Sequence, residues 1–144
     1  HGIKLLGEAG IAVAIISGRQ SRALALRAQN LGIDELHMGI DDKLGCMKDI
    51  VARHGVALAD AGYMGDDVVD LEILTAMGFS ATVADGHPQV RRHVDFVSRL
   101  GGGKGAVREV CDLILAGPGA GKDPRRAVLV IRFQQACGPV MAAG

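Results

Sequence analysis

The sequence predicts an α/β fold, Rossmann-like in the broad sense, with a parallel sheet between two layers of helices. "IAVAII" at 11–16 is an unbroken apolar run, rich in β-branched residues and closed by "SGR", as a strand buried on both faces reads. Segments of helical period then alternate with further short apolar runs, the pattern of βαβ units. The 144 residues suffice for one domain with a real core and hardly for two.

Taken in order, "IKLLGEAG" is helical in pattern and leads into the strand at 11–16. "QSRALALRAQNLG" carries Leu24, Leu26 and Leu31 on a helical period, with Gly32 as a stop. "IDELHMG" fits a short strand, and "DKLGCMKDIVARHG" a helix with Asp41 or Asp42 near its cap and Gly55 at its end. "AGYMGDD" follows as a strand running into a polar loop, then "DLEILTAMG" as a helix closed by Gly78, and "FSATVAD" as another strand. "DFVSRL" and "GAVREVCDLILAG" give a last short strand and an amphipathic helix. Residues 1–116 are expected to form the core. Residues 117–144, rich in Gly, Pro and Ala around the apolar stretch "AVLVIRF", are expected to be a partly mobile C-terminal extension that could pack an isolated segment on the domain or on a neighbour.

Acidic and basic residues balance at 16 each, and no basic stripe interleaves with aromatics, so no nucleic-acid or anionic-membrane partner is expected. No apolar run approaches the roughly 20 residues of a membrane span, and the N-terminus lacks a signal-peptide pattern. Cys46, Cys111 and Cys137 form no CxxC pair, which suits reduced thiols in a cytoplasmic protein. "GPGAGKDP" imitates a phosphate-binding P-loop, but its glycine spacing is one residue short and Asp123 stands where Ser or Thr is needed.

In an open parallel sheet, ligands bind outside the carboxyl ends of the strands. The polar residues there are Ser17, Gly18 and Arg19 after the first apolar run, Asp66, Asp67 and Asp70 after the third, and Asp85 with His87 after the fourth. Carboxylates crowded at one strand end repel each other, and a hard cation such as Mg²⁺, which takes one or two carboxylates and keeps waters, relieves them. Asp66 is the foremost candidate ligand; the alternative is that Asp66 or Asp67 caps the following helix. Ser17 could hold a phosphate oxygen or cap a helix, and Lys43 could reach a phosphate or be a surface cation. His87 and His93 fit either a site rim or a structural role.

In order and spacing, "IISGR", Lys43 and "YMGDDVVD" resemble the second, third and fourth motifs of the haloacid dehalogenase (HAD) superfamily of Mg²⁺-dependent phosphohydrolases. "VADGHPQVRRHVDFVSRLGGGKGAVREVCDLIL" is similar to the C-terminal half of the capless, tetrameric 3-deoxy-D-manno-octulosonate 8-phosphate phosphatase branch, and the likeness covers roughly residues 1–116. The resemblance implies a cytoplasmic homotetramer that hydrolyses that sugar-acid phosphate for lipopolysaccharide synthesis. It implies Asp66 as a Mg²⁺ ligand, Asp67 positioning the metal site and Asp70 supporting the loop. Ser17 would bond the phosphoryl group and Lys43 neutralise its charge. Gly18, Arg19 and Lys104 would lie near the sugar acid, Lys104 in a neighbouring subunit's site.

The chain departs from that family at its first motif. DxDGxxxDG, which supplies the aspartate nucleophile and the acid–base aspartate, occurs nowhere in the sequence. In the family it precedes the segment matching "HGIKLLGEAG", so the expectation is a chain incomplete at its N-terminus, inactive or nearly so, and lacking the central strand of its sheet. Marginal stability or association is then expected unless another chain completes the sheet. The alternative is a non-catalytic HAD-like oligomerisation or regulatory module, as in acylneuraminate cytidylyltransferase fusions. A flavodoxin-like or receiver-type domain is disfavoured, because its acidic pair follows the first strand.

Overall fold

The computed structural model describes residues 2–101, 105–116 and 128–132. Six strands, β1 (Ala12–Ile16), β2 (Glu35–His37), β3 (Ala61–Met64), β4 (Phe79–Thr82), β5 (Phe96–Val97) and β6 (Val128–Ile131), form one sheet in the order β2-β1-β6-β3-β4-β5. Every strand pair is parallel. Helices α1 (Gly2–Glu8), α2 (Arg22–Leu31), α3 (Lys43–Arg53), α4 (Leu71–Ala76), α5 (Pro88–Arg92) and α6 (Ala106–Ala116) complete the expected α/β class.

The helices divide between the faces as the side chains of the strands dictate. On one face Ala14, Ile16 and Tyr63 pack with Met47 and Ile50 of α3, Ile73 and Leu74 of α4, and Val90 of α5. On the other, Ile15 meets Ile3 and Leu6 of α1, Leu24 and Ala28 of α2, and Cys111 of α6. Local signals set the helix ends: Ser21 Oγ accepts the Leu24 N–H at 3.1 Å to open α2, and Gly32 closes it in the left-handed region at φ 76°. Asp42, rather than Asp41, caps α3 through the Gly45 N–H at 2.9 Å.

The sheet corrects two expectations. "AVLVIRF", read as part of an extension beyond a 1–116 core, supplies β6, which lies in the middle of the sheet. Val128 pairs with Ala12 and Ala61, and Ile131 with Ile15 and Met64, so the central position expected to be empty is filled by the chain itself. The physical reason lies in the strand's composition. Val128 and Val130 enter the core on one face and Leu129 and Ile131 on the other, each 2% exposed or less, which is what a strand covered on both faces requires. The rest of 117–144, including Cys137, lies outside the described residues, as does Lys104.

Candidate active site

The carboxyl ends of β1, β6 and β3 lie side by side, and the polar residues there are set by the register of those strands. Ser17 follows β1 and is buried; its N–H donates to the His37 carbonyl at 2.8 Å. Its Oγ accepts the Arg19 N–H at 3.2 Å and lies 3.3 Å from the Arg19 carbonyl, so Ser17 folds its own loop, while Ser21 caps the next helix. Lys43 opens α3, and its Nζ comes within 3.3 Å of where a Gly18 Cβ would stand. The bare glycine lets the ammonium reach the β1 end. Lys43 and Gly18 therefore lie together beside Ser17, whereas Arg19 is exposed on the same loop.

The loop after β3 is organised around Asp70, which is wholly buried. Its Oδ1 accepts the Tyr63 hydroxyl at 3.1 Å, and its Oδ2 accepts the N–H groups of Asp66 and Asp67, both at 3.1 Å. Asp67 Oδ1 accepts the Val68 N–H at 2.7 Å, and the Asp67 side chain also accepts the Asp70 N–H while the Asp70 side chain accepts the Asp67 N–H, a reciprocal capping box over the 3₁₀ turn at Val68–Asp70. Asp70, expected only to support the loop, is its hub, and Asp67 is engaged as a cap. Burial pushes the Asp66 carboxyl up to about 6, helped by Asp70 and Asp67 and opposed by Arg132.

Arg132 is the residue that sequence reasoning missed. It is the first residue after β6, its N–H donates to the Met64 carbonyl at 3.0 Å, and its side chain is 9% exposed. Its Nη1 lies 3.4 Å from Asp66 Oδ1 and 3.2 Å from Asp70 Oδ2, so the guanidinium stands over both carboxylates. Among the described residues no three of His, Cys, Asp and Glu converge as metal ligands. Asp66 is a ligand of the type Mg²⁺ takes, but with Arg132 against it and both Asp70 oxygens engaged, the residues as they stand do not fit the ion.

His87 and His93 both bond to α5. His87 Nδ1 accepts the Gln89 N–H at 3.1 Å to cap α5, and its own N–H donates to the Asp66 carbonyl at 2.9 Å, tying that helix to the acidic loop. His93 Nδ1 lies 2.7 Å from the Gln89 carbonyl on the outer turn of α5. Asp85 is exposed.

No protein-family model matches the chain. It is 40% identical over 119 residues to the 3-deoxy-D-manno-octulosonate 8-phosphate phosphatase of Escherichia coli strain K12, an alignment covering 83% of this chain and 63% of that protein. The crystal structure of the 3-deoxy-D-manno-octulosonate 8-phosphate phosphatase from Moraxella catarrhalis, in complex with magnesium ion, phosphate ion and KDO, superposes with a TM-score of 0.77 at 39% identity, over 85% of this chain and 68% of that one. The chain belongs to that phosphatase family. A HAD-superfamily (subfamily III A) hydrolase from Legionella pneumophila, with a TM-score of 0.77 at 36% identity over 85% of this chain and 66% of the other, places the family within the HAD superfamily. The chain spans 63% of the length of its Escherichia coli relative. Within this HAD fold, the "SGR", Lys43 and "GDD" segments lie at strand ends or on the helix facing them, which gives the order noted in the sequence a spatial meaning. Among the described residues no helix is long and apolar enough to cross a membrane.

Proposed function

We propose that this chain carries the substrate side of a phosphomonoester hydrolase site for 3-deoxy-D-manno-octulosonate 8-phosphate, a lipopolysaccharide precursor, in a cytoplasmic homotetramer. The observation that carries the reading is the placement of Ser17 and Lys43 at the carboxyl end of β1 and of Asp66 at that of β3, one strand further along the same sheet edge, in a chain so similar to enzymes of that name. Phosphoryl transfer asks chiefly for positioning and charge neutralisation. Ser17 Oγ donates a hydrogen bond to a phosphoryl oxygen, and the Lys43 ammonium faces the charge that develops there. Gly18 leaves room for both, and Arg19, exposed on the same loop, is the candidate contact to the sugar acid.

Mg²⁺ is the cofactor this reading implies, with Asp66 its carboxylate and Asp67 and Asp70 shaping the loop that presents it. Arg132 occupies that place as the residues stand, so no step is derived through the ion. Covalent transfer also needs a carboxylate in line with phosphorus. The strand between β1 and β3 is followed by Arg132 rather than by an aspartate, and the chain as it stands is inactive on this reading.

The same observation favours a second reading, a non-catalytic module that keeps the fold for assembly or regulation. Phosphate release from the octulosonate 8-phosphate with Mg²⁺ separates the two. The assay compares the chain, a version extended by a DxDGxxxDG-bearing strand and hairpin, and that version with Asp66→Ala. Activity in the extended form alone, lost on Asp66→Ala, supports the phosphatase reading; a folded, oligomeric and silent extended form supports the module.

A further inference from the structure

Two carboxylates, Asp66 and Asp70, share one cation in this fold, and that cation is covalently part of the chain. Arg132 is held there by its backbone as well as its side chain. The register of β6 is fixed on both edges, by Ile15 and by Met64 against Ile131, and the Arg132 N–H continues the ladder to the Met64 carbonyl at 3.0 Å. The position of the guanidinium is therefore a consequence of the strand's register and not of a freely roaming surface side chain. Its side chain is 9% exposed, those of Asp66 and Asp70 are 24% and 0% exposed, and water screens so enclosed a group of charges weakly. A guanidinium stays charged at every accessible pH and carries donors suited to bridging two carboxylates.

A divalent cation approaching Asp66 Oδ1 meets a positive charge already within 3.4 Å of the same oxygen. The two cations cannot share the carboxylate without strong repulsion. We propose that Arg132 is a tethered competitor for the divalent-metal position at Asp66, so that the strand which completes the sheet also holds the metal affinity of the site down. The inference rests on the reading of Asp66 as the metal-binding carboxylate. It adds that the same strand supplies both a structural element and an internal occupant of the site. Withdrawal of the guanidinium frees Asp66 while leaving Asp70 with its Tyr63 and backbone donors.

The test is Mg²⁺ binding to the full chain by calorimetry, with Mn²⁺ as a paramagnetic probe of the same site, for the parent chain and for Arg132→Met, Arg132→Gln and Arg132→Lys. Removing the charge in Arg132→Met or Arg132→Gln tightens Mg²⁺ binding at least ten-fold, while Arg132→Lys stays near the parent. Adding Asp66→Asn to either neutral variant abolishes the gain. Millimolar Mg²⁺ then raises the melting temperature of the neutral variants and leaves that of the parent unmoved, since a ligand stabilises only the state that binds it. Folded neutral variants that bind Mg²⁺ no tighter than the parent overturn the proposal; if Asp66→Asn still weakens binding in them, the reading of Asp66 as a ligand survives. A gain that persists in the Asp66→Asn double variants overturns both. Arg132→Gln keeps amide donors for the two carboxylates and serves where Arg132→Met fails to fold.

Discussion

Ending the chain at Ala127 removes β6 and asks whether the remaining residues form a stable unit. Four side chains, Val128, Leu129, Val130 and Ile131, leave the core, each 2% exposed or less. Burying a Val, Leu or Ile contributes roughly 1.5–3 kcal/mol, and ordering the backbone of each residue opposes this by roughly 1–2 kcal/mol. The strand's own balance is thus a few kcal/mol in favour of folding. Its removal also uncovers Ile15 and Tyr63, both fully buried, and leaves the facing edges of β1 and β3 without hydrogen-bond partners. The expected loss is at least about 4 kcal/mol, against about 5–15 kcal/mol for a whole domain. The shortened chain should be unfolded or associated in size-exclusion chromatography, with no cooperative urea transition. Leu129→Ala in the full chain is the milder version, costing about 2–5 kcal/mol and lowering the melting temperature by roughly 10 °C. A chain ending at Ala127 that is monomeric and unfolds at the parent's urea midpoint would refute the reasoning and restore 1–116 as a self-sufficient core.

Other outcomes follow from single contacts. Tyr63→Phe withdraws a buried donor from Asp70 Oδ1 and should lower stability by about 1–3 kcal/mol in urea unfolding; an unchanged midpoint would show that the bond contributes nothing. Gly78→Ala drives a methyl group into the Ala59 carbonyl oxygen, so the variant should express poorly or melt at least several degrees lower. Burial alone would raise the Glu35 carboxyl, but hydrogen bonds from His54, His37 and Arg53 outweigh it and bring it down to about 2. A carboxyl lowered in the folded state stabilises above its ordinary value of 4.5 and loses that contribution as pH falls from there toward 2. Because Arg53 is 54% exposed, the contribution is about 1–2 kcal/mol after solvent screening. Urea midpoints at pH 7 and pH 3 should therefore fall further for the parent chain than for Glu35→Gln, and equal falls would assign the acid sensitivity to other groups.

The parts of the fold that were legible in the sequence are those written by neighbours in the chain. "IAVAII" reads as a buried strand from its own residues, Gly32 as a stop from its own backbone freedom, and Ser17, Lys43 and Asp66 as site candidates because each adjoins an apolar run or opens a helix. β6 was visible as an apolar stretch, yet nothing local says where such a stretch docks. Its partners, Ala12–Ile15 and Ala61–Met64, lie more than sixty residues away along the chain, and the Gly- and Pro-rich surroundings suggested an appendage. Arg132 was missed for the same reason, since its role exists only once the register of β6 is known. One signal was available: a charged residue directly after an apolar run is where a parallel strand delivers its functional group. Asp67 shows the converse limit, because a cap and a metal ligand call for the same residue type at the same place.

The position of β6 also bears on how the molecule comes together. Residues 2–97 contain five of the six described strands, and in the folded chain these pair among themselves only as β2-β1 and β3-β4-β5, with no ladder between the two groups. Residues 128–131 zip the two parts into one, so closure waits for a contact that spans most of the sequence. Such non-local pairing slows folding and leaves strand edges open to foreign chains in the interval. Once closed, the seam is paired on both edges in the middle of the sheet, so its amides should be among the slowest to exchange with solvent.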